Sequence, residues 1–447
     1  MPKVGMVSLG CPKNLVDSEV MLGILTRRGY ELTPRPDEAE VIIVNTCAFI
    51  EPAKQESINT ILEMAEYKKF GAARKLVVAG CLVERYRQEI LEQIPEVDYV
   101  IGTNELERTP RVLSTPGYSA YLKIAEGCDH PCTFCVIPQM RGAFRSRRFA
   151  SVIREAENLA KQGVREITIV GQDTTSYGED LGLRDGLPAL LRALGEIPDL
   201  VWVRFLYCYP NRVTEALIAA VAETPKVAKY FDIPLQHASS NVLKLMKRGS
   251  NGQQFLRLLE KIRAAIPGVA LRTSFIVGFP GETDDDFKAL LDFVAAAEFD
   301  HLGVFLYSNE ETSGSFALPN QVSASTARRR QKQIMAFQRK ISRRNLQRMV
   351  GKSLPVLVEG PSEETDLLYQ ARSERQAPGI DGCILINDFE GPAPQPGDFR
   401  WATINEVGDY DLVARLETEV FAERRSPANP LPAGNALVQI QQAAAVP

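Results

Sequence analysis

The sequence predicts an α/β protein of three parts: a small doubly wound parallel-sheet domain, a partial, TIM-like (β/α)6 barrel and a C-terminal small antiparallel β-barrel. Three observations predict this order. Short apolar runs alternate with helical stretches from the start of the chain to about residue 320. From residue 350 to 417 short strand-like runs are instead separated by glycine and proline turns. The length of 447 residues is enough for three domains.

The first part is assigned to residues 1–108. It alternates apolar strand-like runs with helical stretches, a pattern typical of a doubly wound parallel sheet. The predicted strands are residues 4–9, 41–44, 76–79 and 99–101, and the predicted helices are 16–28, 52–67 and 82–94.

A cysteine follows each of the first three strands within a few residues, at Cys11, Cys47 and Cys81. Loops after parallel strands lie at the carboxyl edge of a sheet, so these three thiols are expected to meet in space. The alternative is three unrelated buried cysteines, because free cysteine is a common core residue. Three successive repeats of one placement favour a three-thiolate cluster site instead. Gly10 and Gly80 would let the backbone turn tightly beside a bulky cofactor.

Residues 109–118 form a turn-rich stretch that is interpreted as a linker. The second part, residues 119–320, shows six strand and helix units, a spacing that predicts a partial parallel barrel. Its predicted strands are 121–125, 166–170, 201–206, 230–233, 270–277 and 302–307, and its predicted helices include 151–162, 186–194, 253–265 and 283–297.

Three cysteines, Cys128, Cys132 and Cys135, lie within eight residues just after the first strand of this barrel. Three thiolates on so short a loop can converge on one face of a cubane [4Fe-4S] cluster, whereas tetrahedral zinc would need a fourth ligand. A zinc loop with His130 as that ligand is the alternative, although His130 lies between two of the cysteines, where strain disfavours it. A cluster with one open iron can bind a small chelating molecule.

The cysteine loop, C-x3-C-x2-C with the aromatic Phe134 beside its last cysteine, resembles that of the radical S-adenosylmethionine enzymes. The resemblance implies that the open iron holds the amino and carboxylate groups of S-adenosylmethionine, and that one electron splits it to a 5'-deoxyadenosyl radical. Phe134 is assigned to the cofactor pocket with it. Glycine-containing strand ends line that pocket in the radical family, which assigns Gln172, Gly278 and Glu282 to it.

Two alternatives stay open for these polar residues. A turn or helix cap would also explain each strand-end residue, particularly Glu282 and Thr283 before a helix. Arginines at 141, 145 and 147 could hold the cofactor carboxylate or an acidic substrate side chain, and Arg145 is taken as the cofactor ligand. A solvated basic loop would explain the same arginines. His237 and His301, which stand alone, are interpreted as structural.

Residues 321–349 predict a connecting basic helix, and residues 350–417 predict the small barrel, with strands at 354–359, 367–371, 399–407 and 411–416. Residues 350–417 contain thirteen acidic and five basic side chains. Such a domain repels phosphate and favours a basic protein surface. The remaining cysteines, Cys208 and Cys383, are interpreted as packing thiols. Residues 418–447 are interpreted as a mobile tail.

Two cysteine triads followed by a small barrel are similar to the methylthiotransferases, across about residues 3 to 417. That family has an N-terminal methylthiotransferase domain, a radical S-adenosylmethionine domain and a TRAM domain. Three motifs resemble the branch that methylthiolates an aspartate of a small-subunit ribosomal protein (uS12 type) at the decoding centre. They are Ser8-Leu-Gly-Cys-Pro-Lys-Asn-Leu-Val-Asp-Ser18, Asn45-Thr-Cys-Ala-Phe-Ile50 with Ala53-Lys-Gln-Glu-Ser57, and Cys135-Val-Ile-Pro-Gln-Met-Arg-Gly142. Relatives that modify tRNA usually have Gln-Met in place of Pro12-Lys13, and a basic TRAM domain.

The resemblance implies separate roles for two [4Fe-4S] clusters. The cluster on Cys128, Cys132 and Cys135 generates the radical that removes a hydrogen from the β carbon of the substrate aspartate. An auxiliary cluster on the other three cysteines carries or supplies the sulfur, and a second S-adenosylmethionine supplies the methyl group. The implied partners are the ribosomal protein or the assembled small subunit, met through the acidic TRAM domain, and an electron donor such as flavodoxin or ferredoxin.

Two other functions stay open: a tRNA adenosine methylthiotransferase, favoured by the basic helix, and a non-catalytic iron-sulfur or zinc protein. The net charge of −4 and pI near 5.7 give no general attraction for phosphate backbones, so tRNA is the less favoured substrate. The sequence shows no secretory leader and no apolar run approaching 18 residues, so a cytoplasmic protein away from membranes is expected. Cysteines in that compartment favour metal ligation over disulfides.

Overall fold

We describe the fold from a computed structural model, which covers residues 1–103, 111–362, 365 and 367–422. Over these residues it contains the predicted succession of a parallel sheet, a partial barrel and a small closed barrel. No helix in this part of the chain is both long and apolar enough to cross a membrane.

The first domain is a five-stranded, fully parallel sheet with the spatial order β2-β1-β3-β4-β5. The order reverses between β1 and β3, and ligands of open α/β sheets bind outside the carboxyl ends of strands at such a point. Apolar side chains on both faces of the sheet are covered, which explains the continuous apolar runs of its strands. The elements are β1 (Lys3–Ser8), α1 (Pro12–Arg27), β2 (Glu31–Leu32), β3 (Val41–Thr46), α2 (Glu51–Phe70), β4 (Lys75–Gly80), α3 (Cys81–Gln93) and β5 (Tyr99–Ile101).

All four strands predicted for this sheet form, and the pattern missed the edge strand β2. That strand has only two residues, too few to show a period. The register places Thr46 of β3 opposite Gly80 of β4, and Ser8 of β1 opposite Asn45 of β3. The three strands therefore end at one level, which brings the cysteines that follow them to one edge.

The second domain is a partial barrel of six parallel strands in two three-stranded sheets, β6-β9-β10 and β11-β12-β13. A bridge between Val203 and Val227 links the two halves. Its strands are β6 (Ser119–Lys123), β7 (Ala125–Glu126), β8 (Arg145–Ser146), β9 (Glu166–Val170), β10 (Trp202–Phe205), β11 (Tyr230–Asp232), β12 (Ala270–Val277) and β13 (His301–Leu306). Its helices are α4 (Ile137–Arg141), α5 (Phe149–Lys161), α6 (Gly186–Gly195), α7 (Glu215–Glu223), α8 (Ser240–Leu245), α9 (Gly252–Ala265) and α10 (Asp284–Ala297).

The strands β7 and β8 form a short antiparallel pair around the cysteine loop, which the sequence pattern did not predict. The six barrel strands were all predicted. Helices pack outside them over one apolar core that runs from Leu113 to Ile341. The carboxyl ends of the strands consequently form an open rim that faces the first domain.

The helix α11 (Ala324–Gln347) returns across the barrel as predicted for a connecting segment. Its buried residues Ala327, Ile334 and Ile341 recur every seven positions and so share one face. Ser323 caps its first turn by accepting from the Thr326 N–H at 3.2 Å. Most of its arginines remain on the solvent side.

The third domain is a closed five-stranded barrel with the order β14-β15-β16-β18-β17. Four neighbouring pairs are antiparallel and one pair, β16 and β18, is parallel, so the predicted small antiparallel barrel is confirmed with this one exception. Five strands cannot alternate in direction all the way around a closed barrel, and one parallel pair must result. The strands are β14 (Ser353–Pro361), β15 (Tyr369–Ser373), β16 (Ile384–Phe389), β17 (Phe399–Val407) and β18 (Leu412–Ala422).

Two further corrections concern this barrel. The sequence pattern missed β16, whose apolar residues give way to exposed Asn387 and Asp388 after only three positions. The expected tail began at residue 418, yet β18 continues to Ala422 because its end pairs with Phe399 and Arg400 of β17. Residues 423–447, the remainder of the expected tail, lie outside the described residues.

A buried charge cluster docks the small barrel on the partial barrel. Arg372 of β15 donates to Glu166 of β9 at 2.7 Å from Nη1, and to Glu359 of β14 at 2.8 Å from Nε. The Arg204 guanidinium lies 3.7 Å from Glu166. Burial opposes ionisation of Glu166, but Arg372 outweighs it and lowers the pKa of the carboxyl.

We expect Arg372→Met to lower the free energy of unfolding by roughly 3–5 kcal/mol, because it leaves the buried Glu166 carboxylate without its main ionic partner. Urea unfolding followed by fluorescence measures this change in stability. Arg415→Met is the matched control, since that arginine is half exposed and pairs with the exposed Asp388 and Glu390. The control should change stability by less than about 1 kcal/mol. Equal urea midpoints for the two variants would contradict the assignment.

Candidate active site

The barrel rim and the carboxyl edge of the first sheet enclose one cavity of about 230 Å³. All six cysteines of the two predicted triads line it. Ligands bind at the carboxyl ends of the strands in a parallel barrel and in an open parallel sheet. Here the carboxyl ends of the barrel and of the first sheet face each other. The other lining residues used below are Lys13, His130, Phe134, Arg141, Gln172, Asp173, Tyr207, Tyr209, Gln236, Arg248, Arg272 and Glu310.

The first triad depends on two glycines that precede cysteines. Gly10 has φ +84°, and a Cβ there would lie 2.7 Å from Cys47 Cβ. Gly80 has φ +96°, and a Cβ there would lie 2.4 Å from the side-chain oxygen of Asn45. Both positions therefore require glycine for conformation and for space. They permit the close approach of the three loops, which is a more direct role than the turn beside a cofactor that the sequence indicated.

The thiols of the first triad are held by local structure. Cys11 precedes α1 and Cys81 begins α3, while Cys47 donates its backbone N–H to Ser57 Oγ at 3.0 Å. Burial raises the pKa of Cys47 to about 12, and burial also raises the pKa of Cys81 against the opposing effect of Arg141. Burial thus favours the neutral thiols, and binding of a metal favours the thiolates instead.

The second triad lies on the loop between β7 and α4. Gly127 has φ +80°, and a Cβ there would lie 2.2 Å from the Ala143 carbonyl oxygen, so the loop closes tightly on itself. Cys135 Sγ accepts from the Ile137 N–H at 3.5 Å. Burial raises the pKa of Cys128 to about 11 and that of Cys135 to about 12. Both triads thus present buried or half-buried thiols to the same space.

His130 does not act as a fourth ligand in this arrangement. Its Nε2 lies 2.6 Å from Asp173 Oδ2, and its ring stacks on Tyr209 with centroids 3.6 Å apart. Within the described part of the chain no three His, Cys, Asp or Glu side chains are placed to hold a single metal ion. His130 is thus not placed to complete a zinc site with the cysteine loop, whereas a polynuclear cluster needs thiolates spread over a larger body.

Arg141 joins the two triads through a buried ionic network. It is 1% exposed and donates to Asp17 of α1 at 2.7 Å and to Glu126 of β7 at 3.2 Å. Burial opposes ionisation of Glu126, but Lys123 and Arg141 outweigh it and lower its pKa. Since Asp17 and Glu126 belong to different domains, the network fixes the first triad relative to the second. Arg141 thereby has a positioning role, not the anion-binding role considered from sequence.

The predicted cofactor residues separate into two groups. Phe134 and Gln172 line the cavity, and Gln172 donates to Glu126 at 2.9 Å. Gly278 and Glu282 do not line it. The Glu282 carboxylate accepts from the Gly278 N–H and lies 3.1 Å from the Arg330 guanidinium, so it closes its own loop against α11. The structure therefore places both residues behind the cavity wall and not on it.

Arg145 also lies off the cavity wall, exposed on the short strand β8. The helix-cap alternative is borne out next to Glu282, where Thr283 and Asp286 form a capping box at the start of α10.

Cys208 is a buried thiol, 1% exposed, on the cavity wall in the loop after β10.

Sequence reasoning missed several polar residues of the cavity. Tyr207 and Gln236 have φ of +64° and +72°, rare conformations for residues with a Cβ that are found at functional strand ends. Arg248 donates to Cys132 Sγ at 3.5 Å, and Arg272 lines the cavity from within β12. Lys13 lies with its ammonium 3.5 Å from the centre of the Tyr207 ring. Their strand-end positions were the available signal for Tyr207 and Gln236.

Comparison with known proteins agrees with the three parts. Residues 3–102 match the uncharacterized protein family UPF0004, residues 122–294 the radical SAM superfamily and residues 350–416 the TRAM domain. A solved radical S-adenosylmethionine methyltransferase, TsrM from Kitasatospora setae, is similar in fold, with a TM-score of 0.52 and 17% identity over 68% of this chain and 75% of that one.

Curated relatives match almost the whole chain. The ribosomal protein uS12 methylthiotransferase RimO of Solibacter usitatus is 58% identical over 99% of this chain and 100% of its own length. The protein of the same name from Koribacter versatilis is 51% identical over 93% of this chain and 96% of its own. Fold, cysteine loop and matches together define a radical S-adenosylmethionine methylthiotransferase, with an iron-sulfur cluster and S-adenosylmethionine as its cofactors. The chain belongs to the RimO family.

Proposed function

We propose that this enzyme methylthiolates the β carbon of an aspartate in a small-subunit ribosomal protein of the uS12 type. The observation that carries the proposal is the convergence of two cysteine triads on one cavity. One triad alone would serve to cleave S-adenosylmethionine, and a second beside it provides a place from which sulfur can be delivered. The names of the relatives supply the substrate class.

The residues present fit two [4Fe-4S] clusters. Each triad offers three thiols and leaves one cluster position without a protein ligand, as an open site requires. Cys128, Cys132 and Cys135 would hold the cluster that supplies reductive cleavage of S-adenosylmethionine. The triad of the first domain would hold the auxiliary cluster. Phe134 and Gln172 are proposed to contact S-adenosylmethionine, because both line the cavity near the second triad.

Gly278, Glu282 and Arg145 are not carried forward as cofactor ligands. The glutamate instead stabilises the loop after β12 through Gly278 and Arg330. We propose domains at residues 1–108, 119–320 and 350–422, where the third ends later than first predicted because β18 continues to Ala422, with a linker at 109–118 and the basic helix at 321–349. The electron donor is proposed to be a small redox protein of the flavodoxin or ferredoxin type.

The acidic small barrel supports a basic protein partner. Some of its acids act inside the molecule: Asp381 is 3% exposed in its side chain and pairs with Arg272, and its Oδ2 accepts from Tyr230 at 2.7 Å. Others remain on the surface, including Asp388 and Glu390, whose side chains are 63% and 48% exposed. The surface of this domain therefore keeps an acidic character that opposes binding of a phosphate backbone.

The second candidate function is methylthiolation of tRNA. The exposed arginines of α11 favour it, because they could bind phosphate. Two of them, Arg339 and Arg343, lie within 3.9 Å of Asp409 in the small barrel. That pairing reduces the charge they could offer to phosphate. The ribosomal protein remains the better supported substrate.

Mass spectrometry distinguishes the two candidates. Anaerobically reconstituted, reduced enzyme is incubated with S-adenosylmethionine and with either purified uS12-type protein, assembled small subunits or tRNA. We expect a methylthio mass gain on one aspartate of the ribosomal protein and none on tRNA nucleosides. A gain on a tRNA adenosine, with the protein unchanged, would overturn the proposal.

A further inference from the structure

Lys13 differs from the other cations of the cavity because neither a carboxylate nor a backbone carbonyl accepts a hydrogen bond from its ammonium in the described part of the chain. Arg141 pairs with Asp17 at 2.7 Å, Arg272 pairs with Asp232 at 2.7 Å, and Arg248 donates to the Pro234 carbonyl at 2.6 Å. For Lys13 no ion pair with a carboxylate is found in the part of the chain that the structure describes. Its close neighbour is the face of Tyr207, 3.5 Å from ammonium to ring centre.

The acids of the cavity wall are already engaged. Asp173 lies 2.6 Å from His130, and Glu310 lies 3.0 Å from Arg85. Neither is available to compensate Lys13. Cys11 is therefore the anionic partner within reach of the Lys13 ammonium on the described wall, and no wall carboxylate is left to pair with it.

This position is costly without an anion. Lys13 is 7% exposed, and burial of an ammonium without an ionic partner is strongly unfavourable. It is the second residue of α1, where the helix dipole already places partial positive charge. An aromatic face recovers only part of the lost hydration. A positive site of this kind is suited to a carboxylate that enters from solution.

We propose that Lys13 binds the side-chain carboxylate of the substrate aspartate and makes the enzyme select aspartate over asparagine. The inference rests on the proposed function, because it takes a protein aspartate as the substrate. Lys13 follows Cys11 by two residues, so an aspartate held there lies beside the first triad. Arg248 lies beside Cys132 of the second triad, which separates the two cations between the two halves of the cavity.

The experiment compares Lys13→Met with Lys13→Arg and with the control Lys75→Met. Lys75 also lies over a tyrosine ring, that of Tyr99 at 5.4 Å, but does not line the cavity. Substrates are purified uS12-type protein with its target aspartate and the same protein with asparagine there. The measurements are kcat and KM for each substrate, the Kd of the ribosomal protein with S-adenosylmethionine in the absence of reductant, and the iron content.

We expect Lys13→Met to lower kcat/KM for the aspartate substrate about 100-fold, as truncating one partner of a buried charge pair does. Its ratio of kcat/KM for aspartate over asparagine should fall, the Kd should rise, and the iron content should equal that of the wild type. Lys13→Arg should restore most of the ratio, and Lys75→Met should change neither the ratio nor the Kd. These results would require that Lys13 itself contacts the substrate.

Three outcomes would overturn the inference. An unchanged aspartate-to-asparagine ratio in Lys13→Met would show that Lys13 does not recognise the carboxylate. Loss of half the iron would show that Lys13 supports the auxiliary cluster instead. Wild-type enzyme that modifies no ribosomal protein would overturn the proposed function itself, and is distinguished from the other two because it appears before any variant is made.

Discussion

Substituting Cys11 by alanine should abolish methylthiolation and leave reductive cleavage of S-adenosylmethionine in place. Cys11 lies at the carboxyl edge of the first sheet, in a different domain from the cysteine loop of the barrel. Its loss removes one of the three thiols that we propose as ligands of an auxiliary cluster. We expect product formation to fall by more than about 100-fold, since even the loss of an outer-shell partner of a metal site costs 10–100-fold.

Chromatography of 5'-deoxyadenosine and mass spectrometry of the ribosomal protein measure the two activities separately. Cys383→Ala is the matched control, a half-buried cysteine in the small barrel that is far from the cavity wall. It should retain both activities. A normal product yield from Cys11→Ala would refute the assignment of the first triad.

The second large effect is expected from Cys135→Ala, which should abolish both activities. This thiol is half-buried and lies in the loop that leads into α4, where its Sγ accepts from the Ile137 N–H. Without it the barrel loop keeps two thiols, too few for the cluster that cleaves S-adenosylmethionine. We expect cleavage to fall by more than about 100-fold, by the same reasoning on metal-site affinity.

Iron content separates this variant from an unfolded one. Cys135→Ala should retain about half of the iron of the wild type, because the first triad is built from other loops. Its circular dichroism should match that of Cys383→Ala. Measurable 5'-deoxyadenosine above the background without enzyme would contradict the assignment of the second triad.

Much of the fold followed from local pattern. Apolar runs of three to eight residues between helical stretches located the four longer strands of the first sheet and all six of the barrel. Loops after parallel strands meet at one edge of the sheet, and this rule predicted that Cys11, Cys47 and Cys81 lie close together. Three positions that are distant in the sequence could therefore be assigned to one site.

The pairings between distant side chains could not be obtained in this way. Glu282 carries a polar group at a strand end, as a cofactor ligand would, yet its carboxylate is bound by Gly278 and Arg330. Arg330 lies 48 residues further along the chain. A period of two or 3.6 residues contains no information on such a partner. The local pattern also contains no information on the direction of β16 relative to β18, because closure of the whole barrel sets that direction.

The arrangement of domains also lies beyond the sequence pattern. Arg141 was recognised as an arginine near the cysteine loop, and its planar fork suggested an anion. The anions that it binds, Asp17 and Glu126, come from two domains and are its own chain's carboxylates. Lys13 is the opposite case, a cation that sequence reasoning used only as part of a motif and that the fold places in the cavity.

In the proposed reaction the target aspartate enters the cavity between the triads and loses a β hydrogen there to the 5'-deoxyadenosyl radical formed from S-adenosylmethionine. This transfer is measured with uS12-type protein that carries deuterium on the β carbon of its aspartates, followed by mass analysis of the 5'-deoxyadenosine produced. We expect deuterium in 5'-deoxyadenosine together with a methylthio group on the protein. Methylthiolated protein with unlabelled 5'-deoxyadenosine would contradict it.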